Sequence, residues 1–276
     1  MLFQRVLTAF ALLFIILGAV FGLSPTLFKV FIGIVIGLAI WEWSSLAGLK
    51  AKMSRVVYLA VMIIIFILVE RFLSANSLMM GGAICFWFVI FYLVCRFPAG
   101  SAGWGNRHVL MLIGLPLFLP GWIAFALLRD EPYFAFHILF MLGLVASADI
   151  GAYFAGRHFG RHKLASEVSP NKTWEGVAGG LAGACLLMVM ISLLFINPRI
   201  SMTPTLWLSL VGAALCIAAV SVVGDLFESM VKRFRNVKDS GNILPGHGGM
   251  LDRIDGLTAA APIYALFVLV LSPVFT

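Results

Sequence analysis

Charge is what this 276-residue chain has least of: Asp, Glu, Lys and Arg make up 11% of it, against about a quarter of an ordinary soluble domain. With 62% hydrophobic residues, a water-soluble globule could not cover its apolar surface, and a disordered chain needs the opposite balance. Cysteine is nearly missing as well. Cys85, Cys95, Cys185 and Cys216 each stand in an apolar run with no CxxC pair, which reads as buried thiols, not a zinc site or disulfide frame. A G-x-x-x-x-G-K-[ST] phosphate loop, heptads, low-complexity tracts and internal duplication are all absent. No small-residue cleavage pattern stands near Gly18–Gly22, so the first apolar run is expected to be an uncleaved span.

Long apolar runs are what the chain has. Nine candidate helices lie near 6–23, 27–47, 56–69, 78–95, 109–128, 133–155, 177–196, 205–224 and 257–275. Each approaches the roughly 20 residues that cross a bilayer, and the runs are continuous, which excludes an outer-membrane barrel. The fold expected is therefore all-α, a polytopic membrane protein with about nine transmembrane helices. Lys and Arg sort between its two sides. The segments after the first, third, fifth and seventh runs hold only Lys29, Arg71, Arg129 and Arg199; the other fifteen fall at the N-terminus or after the even-numbered runs. That asymmetry predicts a cytoplasmic N-terminus and an outward-facing Leu271–Thr276. It also accounts for the net charge of +7 without a nucleic-acid partner.

Acidic residues are sorted differently: eight of the twelve lie between Asp149 and Asp255. The chain accordingly divides into N-terminal spans, 1–132, and a chemistry-bearing region, 133–276, with cytoplasmic loops expected at 156–176 and 225–256. Three constellations carry the chemistry. Ala148-Asp149-Ile150-Gly151-Ala152-Tyr153 puts a carboxylate at the end of a span, where it is costly unless paired or functional. Ser169-Pro-Asn171-Lys172-Thr-Trp-Glu175-Gly176 enters the seventh span, and free helix N-terminal amides beside Lys172 are expected to form a phosphate site. The third runs from Gly224-Asp225 through Glu228, Ser229, Lys232, Arg233, Arg235, Lys238 and Asp239 to His247-Gly248-Gly249-Met250-Leu251-Asp252-Arg253-Ile254-Asp255. If the eighth span continues as a helix, Asp225, Ser229 and Lys232 share a face. Clustered carboxylates favour Mg²⁺ among them, and Gly246, Gly248 and Gly249 let backbone amides approach an anion. Gly176, Gly179, Gly180 and Gly183 have the small-xxx-small spacing of a closely packed span.

The segment from Ser229-x-Val231-Lys232-Arg233 through Lys238-Asp239, Gly241 and Leu244-Pro245 to His247-Gly248-Gly249-Met250-x-Asp252-Arg253-Ile254-Asp255 resembles the signature of the phosphatidate cytidylyltransferases, the CDP-diacylglycerol synthases. The Asp149 and Ser169–Gly176 segments are similar to that family too, although Ile150 stands where a Thr is common, and the N-terminal half matches in hydropathy only. The resemblance implies transfer of a cytidylyl group from CTP to phosphatidate, releasing pyrophosphate. The nucleophile is then a phosphate monoester, mostly dianionic at neutral pH, so no protein base is required; bringing two polyanions together is the difficulty. The implied metal ligands are Asp225 and Asp252 first, then Asp255 and Asp149, for Mg²⁺ with room for a monovalent cation such as K⁺. Lys172, Lys238 and Arg253 are the implied phosphate contacts, with Lys232 and Arg233 behind them. His247, Gly248 and Gly249 are expected to shape the triphosphate site, and Ser169 and Asn171 to contact substrate phosphate. CTP would arrive from the cytoplasm and phosphatidate sideways from a bacterial inner membrane, and a homodimer is compatible with the glycine-rich seventh span.

Two other readings fit parts of the chain less well. Asp252-Arg-Ile-Asp255-Gly256 faintly resembles the acidic motif of CDP-alcohol phosphotransferases, but that motif needs aspartates downstream and this chain has none after Asp255. A transporter would place charge along span centres, whereas here only Glu42 does so.

Overall fold

The computed structural model describes residues 2–72, 77–195 and 203–275, leaving aside the side chains of 2–5, 77, 78 and 271–275. Arg199, the Arg5 side chain and the C-terminal Leu271–Thr276 side chains, all used in the orientation argument, lie outside what is described. Ten helices and one hairpin follow in order: α1 (Leu2–Gly22), α2 (Pro25–Leu46), α3 (Lys52–Phe72), α4 (Ser77–Arg96), the short α5 (Ser101–Trp104), α6 (Arg107–Asp130), α7 (Phe134–Phe159), strands β1 (Lys163–Ala165) and β2 (Ser169–Thr173), α8 (Trp174–Phe195), α9 (Pro204–Phe234) and α10 (Leu251–Phe275). Eight of these helices, α2 to α4 and α6 to α10, are long and apolar enough to cross a membrane; in α1 the apolar stretch Val6–Gly22 is shorter. The chain is thus an all-α integral membrane protein. Its helix starts are written locally. Ser24 and Thr203 accept from the amides of Leu27 and Leu206 just ahead of Pro25 and Pro204, and Asn106 caps α6 through His108.

Two expectations about loops need correction. α9 runs unbroken to Phe234, so 225–234 is helix, and only 235–250 joins it to α10. Its charges ended the hydropathy signal but not the backbone hydrogen bonding. At 31 residues α9 spans about 46 Å, well beyond the ~30 Å hydrocarbon core, so its last turns rise into the interface. Likewise 156–176 is not simply a loop: α7 continues to Phe159, and an antiparallel hairpin pairs Lys163 with Thr173 and Ala165 with Ser169.

The glycine stripe of α8 packs against α7 within the chain. A Cβ at Gly179 would meet the Ala155 Cβ, one at Gly180 the Ala148 carbonyl, and one at Gly183 the Ser147 carbonyl. Backbones this close gain dispersion contact that larger side chains would forbid. Around this pair, α10 packs on α9, α6, α4 and α2, so residues 1–132 and 133–276 share one core and are not separate bodies. Trp43, Phe118, Phe227 and Tyr264 are among its largest fully buried side chains.

Connections alternate between two ends of the bundle. Arg235, just past α9, donates to the carbonyls of Leu46, Ala47 and Gly105, and Arg233 to that of Val168 in the hairpin. The segments after α2, α4, α7 and α9 therefore meet at one end. At the other, Lys29 bridges Asp130 (3.0 Å) and Glu70 (3.6 Å), and Arg129 donates to the Leu23 carbonyl.

Candidate active site

The hairpin end holds two adjoining cavities. The smaller, about 190 Å³, is lined by Asp149 of α7, Ser221 and Asp225 of α9, and Arg253, Asp255 and Gly256 of α10, with Leu142, Val145, Ala146 and Leu257 giving it an apolar side. The larger, about 750 Å³, is lined by Lys238, Asp239, Asn242, residues 244–248 and Arg253. Arg253 belongs to both walls. The larger volume falls in the range of small-molecule sites. The smaller cavity is amphipathic, and α7 exposes Ile150, Tyr153 and Phe154 next to Asp149, so its carboxylates stand beside an exposed apolar surface.

Helix geometry brings the smaller cavity together. Lys172, carried inward by β2, donates to Asp225 Oδ2 at 2.6 Å, and Ser229, one turn on, donates to Asp225 Oδ1 at 3.3 Å. Asp149 interacts electrostatically with Asp225, Lys172 and Arg253, and Asp255 with Asp225. Three helices and the hairpin thus gather three carboxylates and two cations in one place. Among the described residues, no three His, Cys, Asp or Glu side chains stand close enough to hold a metal ion by themselves. The donors are nonetheless all carboxylate oxygens. Mg²⁺ needs only one or two of these when substrate phosphates and water complete its shell, so the residues fit that ion.

Lys232 links this group to the loop. It donates to Asp252 Oδ1 at 2.6 Å and to Glu228 Oε2 at 3.1 Å; Glu228 is buried and the other two are partly so. Its partners are therefore not Asp225, with which it shares a helix face. Asp252 Oδ2 accepts from the amide and hydroxyl of Ser240 (both 3.0 Å) and from the Gly249 amide (2.8 Å). With Lys232 on its other oxygen, Asp252 closes the 235–250 loop onto the first turn of α10. Gly248 lies at φ +80°, and a Cβ there would stand 2.8 Å from that same carboxylate oxygen, so a bulkier residue would be both strained and crowded. His247 lines the larger cavity, and among the described residues its buried Nδ1 has no hydrogen-bond partner. A native structure seldom leaves such a nitrogen unpaired unless something binds there.

Other expected residues stand differently. Two of the amides opening α8 are already taken: Trp174 donates to the His162 carbonyl and Gly176 to Thr173 Oγ1. Thr173 thus caps the helix N-terminus that was expected to stand free beside Lys172. Arg233 Nε is engaged with the Val168 carbonyl, and Ser169 and Asn171 sit on β2, with Asn171 exposed. None of these three lines either cavity.

Sequence reasoning noted Glu42 only as a charge inside a span. This α2 side chain is buried and accepts from Ser240 Oγ (3.0 Å), the Met250 amide (3.1 Å) and the Leu251 amide (2.8 Å). Its one signal was its cost: a carboxylate amid Ile40, Trp41 and Trp43 needs donors from elsewhere in the fold.

Comparison with known proteins bears on this arrangement. The cytidylyltransferase family matches residues 3–271. A phosphatidate cytidylyltransferase of Pseudomonas aeruginosa is 43% identical over 265 residues, covering 96% of both chains. That of Haemophilus influenzae is 39% identical over 289 residues, covering 97% of this chain and 98% of its own. That of Brucella suis is 38% identical over 254 residues, covering 89% and 84%.

Proposed function

The chain belongs to the cytidylyltransferase family, and we propose that it is a phosphatidate cytidylyltransferase: CTP and phosphatidate give CDP-diacylglycerol and pyrophosphate. The observation that carries this reading is the pair of cavities meeting at Arg253. One is polar and large enough for a nucleotide; the other is small, half apolar and open beside a lipid-facing helix. A reaction joining a water-borne triphosphate to a membrane-borne phosphate needs that juxtaposition.

The lipid phosphate oxygen attacks the α-phosphorus of CTP, and the bond to the bridging oxygen of pyrophosphate breaks. The nucleophile arrives as a dianion, so no side chain has to remove a proton. What the protein supplies is charge compensation and orientation. Arg253, on the shared wall, faces both anions, and Lys238 stands at the loop side of the nucleotide cavity. Lys172 is held by Asp225 until an incoming phosphate competes for its ammonium. His247 forms part of the wall of the nucleotide-side cavity. Asp225, with Asp149 or Asp255 beside it, would hold Mg²⁺, which when bound screens phosphate charge and steadies the leaving pyrophosphate. Asp252 would join them only by giving up Lys232 or a loop donor. A monovalent cation such as K⁺ is compatible with the remaining carboxylate oxygens.

Sidedness follows from charge. The end where the segments after α2, α4, α7 and α9 meet is the one rich in Lys and Arg, which supports a cytoplasmic active site; the bacterial relatives support an inner membrane as its setting. Purified protein in phosphatidate-containing liposomes, given CTP labelled on the α-phosphate, should move label into lipid and release one pyrophosphate per lipid product. Release of label as CMP without lipid product, or solute uptake without CTP consumption, would overturn the assignment.

A further inference from the structure

Glu42 lies in neither cavity wall, yet its contacts decide how one of them is built. The 235–250 loop leaves α9 and returns to α10 around the larger cavity, with Lys238 and Asp239 on its outgoing limb and residues 244–248 on its return. A segment of sixteen residues between two helix ends has many conformations open to it, and few of them would set these groups face to face. Contacts along both limbs fix it, among them Thr8 Oγ1 donating to the Pro245 carbonyl. At its start, Arg235 is tied to the end of α2 through the Leu46 and Ala47 carbonyls. In its middle and at its end, two carboxylates make the closure: Asp252 Oδ2 accepts from Ser240 and Gly249, and from the other side Glu42 Oε2 accepts from Ser240 Oγ and the Leu251 amide, and Oε1 from the Met250 amide. Gly241 and Gly249 press against the Glu42 carboxylate, since a Cβ at either would collide with it. Ser240 then passes the constraint on: its amide donates to Asp252 Oδ2, and its single hydroxyl proton lies between that oxygen and Glu42 Oε2, each 3.0 Å from Oγ.

We infer that Glu42 is a positioning residue for the nucleotide-side cavity, acting through Ser240 and the first amides of α10 to hold the two limbs of the loop at the separation CTP requires. This rests on the cytidylyltransferase reading of the site. A carboxylate suits the task because all three of its partners are donors, two of them amides at a helix N-terminus where negative charge is favoured. Glutamine would turn an NH₂ group toward one of those donors and leave a buried amide unpaired. Aspartate keeps the charge but falls one methylene short. No residue of the loop lines the smaller cavity, which shares only Arg253 of α10 with the larger one, so the effect should fall on one substrate.

The test is steady-state kinetics on the full-length protein in liposomes, with CTP and phosphatidate varied separately, for wild type, Glu42→Gln, Glu42→Asp and Ser240→Ala. Glu42→Gln should raise the KM for CTP about tenfold or more, the scale of a lost charge-assisted bond, and leave the KM for phosphatidate within about twofold. Glu42→Asp should recover part of that loss. Ser240→Ala should shift the CTP KM less and in the same direction, and combining it with Glu42→Gln should add less than its effect alone, as expected for coupled neighbours. Equal rises in both KM values, or a fall in kcat with the CTP KM unchanged, would overturn the inference. If Glu42→Gln does not accumulate in membranes, Glu42→Asp and Ser240→Ala carry the same comparison. A wild-type protein that forms no CDP-diacylglycerol would refute the proposed reaction instead, which keeps the two failures apart.

Discussion

Both ends of the bundle are tied by ion pairs, and they differ in what surrounds the charges. At the far end, Lys29 meets Asp130 and Glu70 with the two carboxylate side chains 62% and 38% exposed. Solvent screens such pairs, and they are worth little. At the hairpin end, Lys232 and Asp252 are 12% and 7% exposed and share hydrogen bonds with Glu228, Ser240 and Gly249. Buried charges interact strongly and are costly to leave unpaired, so each is held by several partners at once. The far end is a clasp; the near end is a preorganised field with two cavities set into it.

That contrast can be broken by substitution. The largest effect is expected from Asp225→Asn, which removes the carboxylate shared by Lys172, Ser229 and the smaller cavity; turnover should fall by about a thousandfold or more, the scale of losing a central electrostatic group. Asp252→Asn should come next. It leaves Lys232 facing a neutral amide and loosens the Ser240 and Gly249 contacts, so both kcat and the CTP KM should worsen, by about a hundredfold together in kcat/KM. Gly179→Leu would force α7 and α8 apart where Ala155 and Gly151 leave no room. It should lower thermal stability by several degrees in detergent, a loss of about 1–3 kcal/mol, and lower the amount of folded enzyme, with less change in the KM of what remains. Smallest of all, Lys29→Ala should cost about 1 kcal/mol or less and leave both KM values unchanged. A Lys29 variant as inactive as the Asp225 variant would erase the distinction between the ends.

How much of this could be read from residues alone depended on how local the cause was. Apolar runs gave the long helices because one span is a self-contained hydrogen-bonded unit, and the glycines of α8 announced a close neighbour by their spacing. Asp149, Asp225, Asp255, Lys172 and Arg253 were legible as chemistry because ionised groups at span ends are costly without a role. That they meet depends on α7, α9 and α10 packing side by side, which no local pattern states. The charged turns of α9 looked like loop because hydropathy falls where the helix leaves the membrane, although its hydrogen bonding does not. Thr173 was overlooked as a cap, and that one hydroxyl fills the amide expected to bind phosphate. Glu42 was the deepest omission: its partners lie about 200 residues away in sequence, and the N-terminal half offered nothing but hydropathy to interpret.

The central claim is that the carboxylates around the smaller cavity, led by Asp225, serve Mg²⁺-dependent cytidylyl transfer and not the integrity of the fold. The most direct test is the initial rate of CDP-diacylglycerol formation by Asp225→Asn and wild type in the same liposomes, across a Mg²⁺ titration, with both proteins first matched for thermal stability. The account predicts a saturable Mg²⁺ dependence in the wild type and a near-flat baseline in the equally stable variant. An Asp225→Asn protein that keeps the wild-type rate and Mg²⁺ dependence would contradict it.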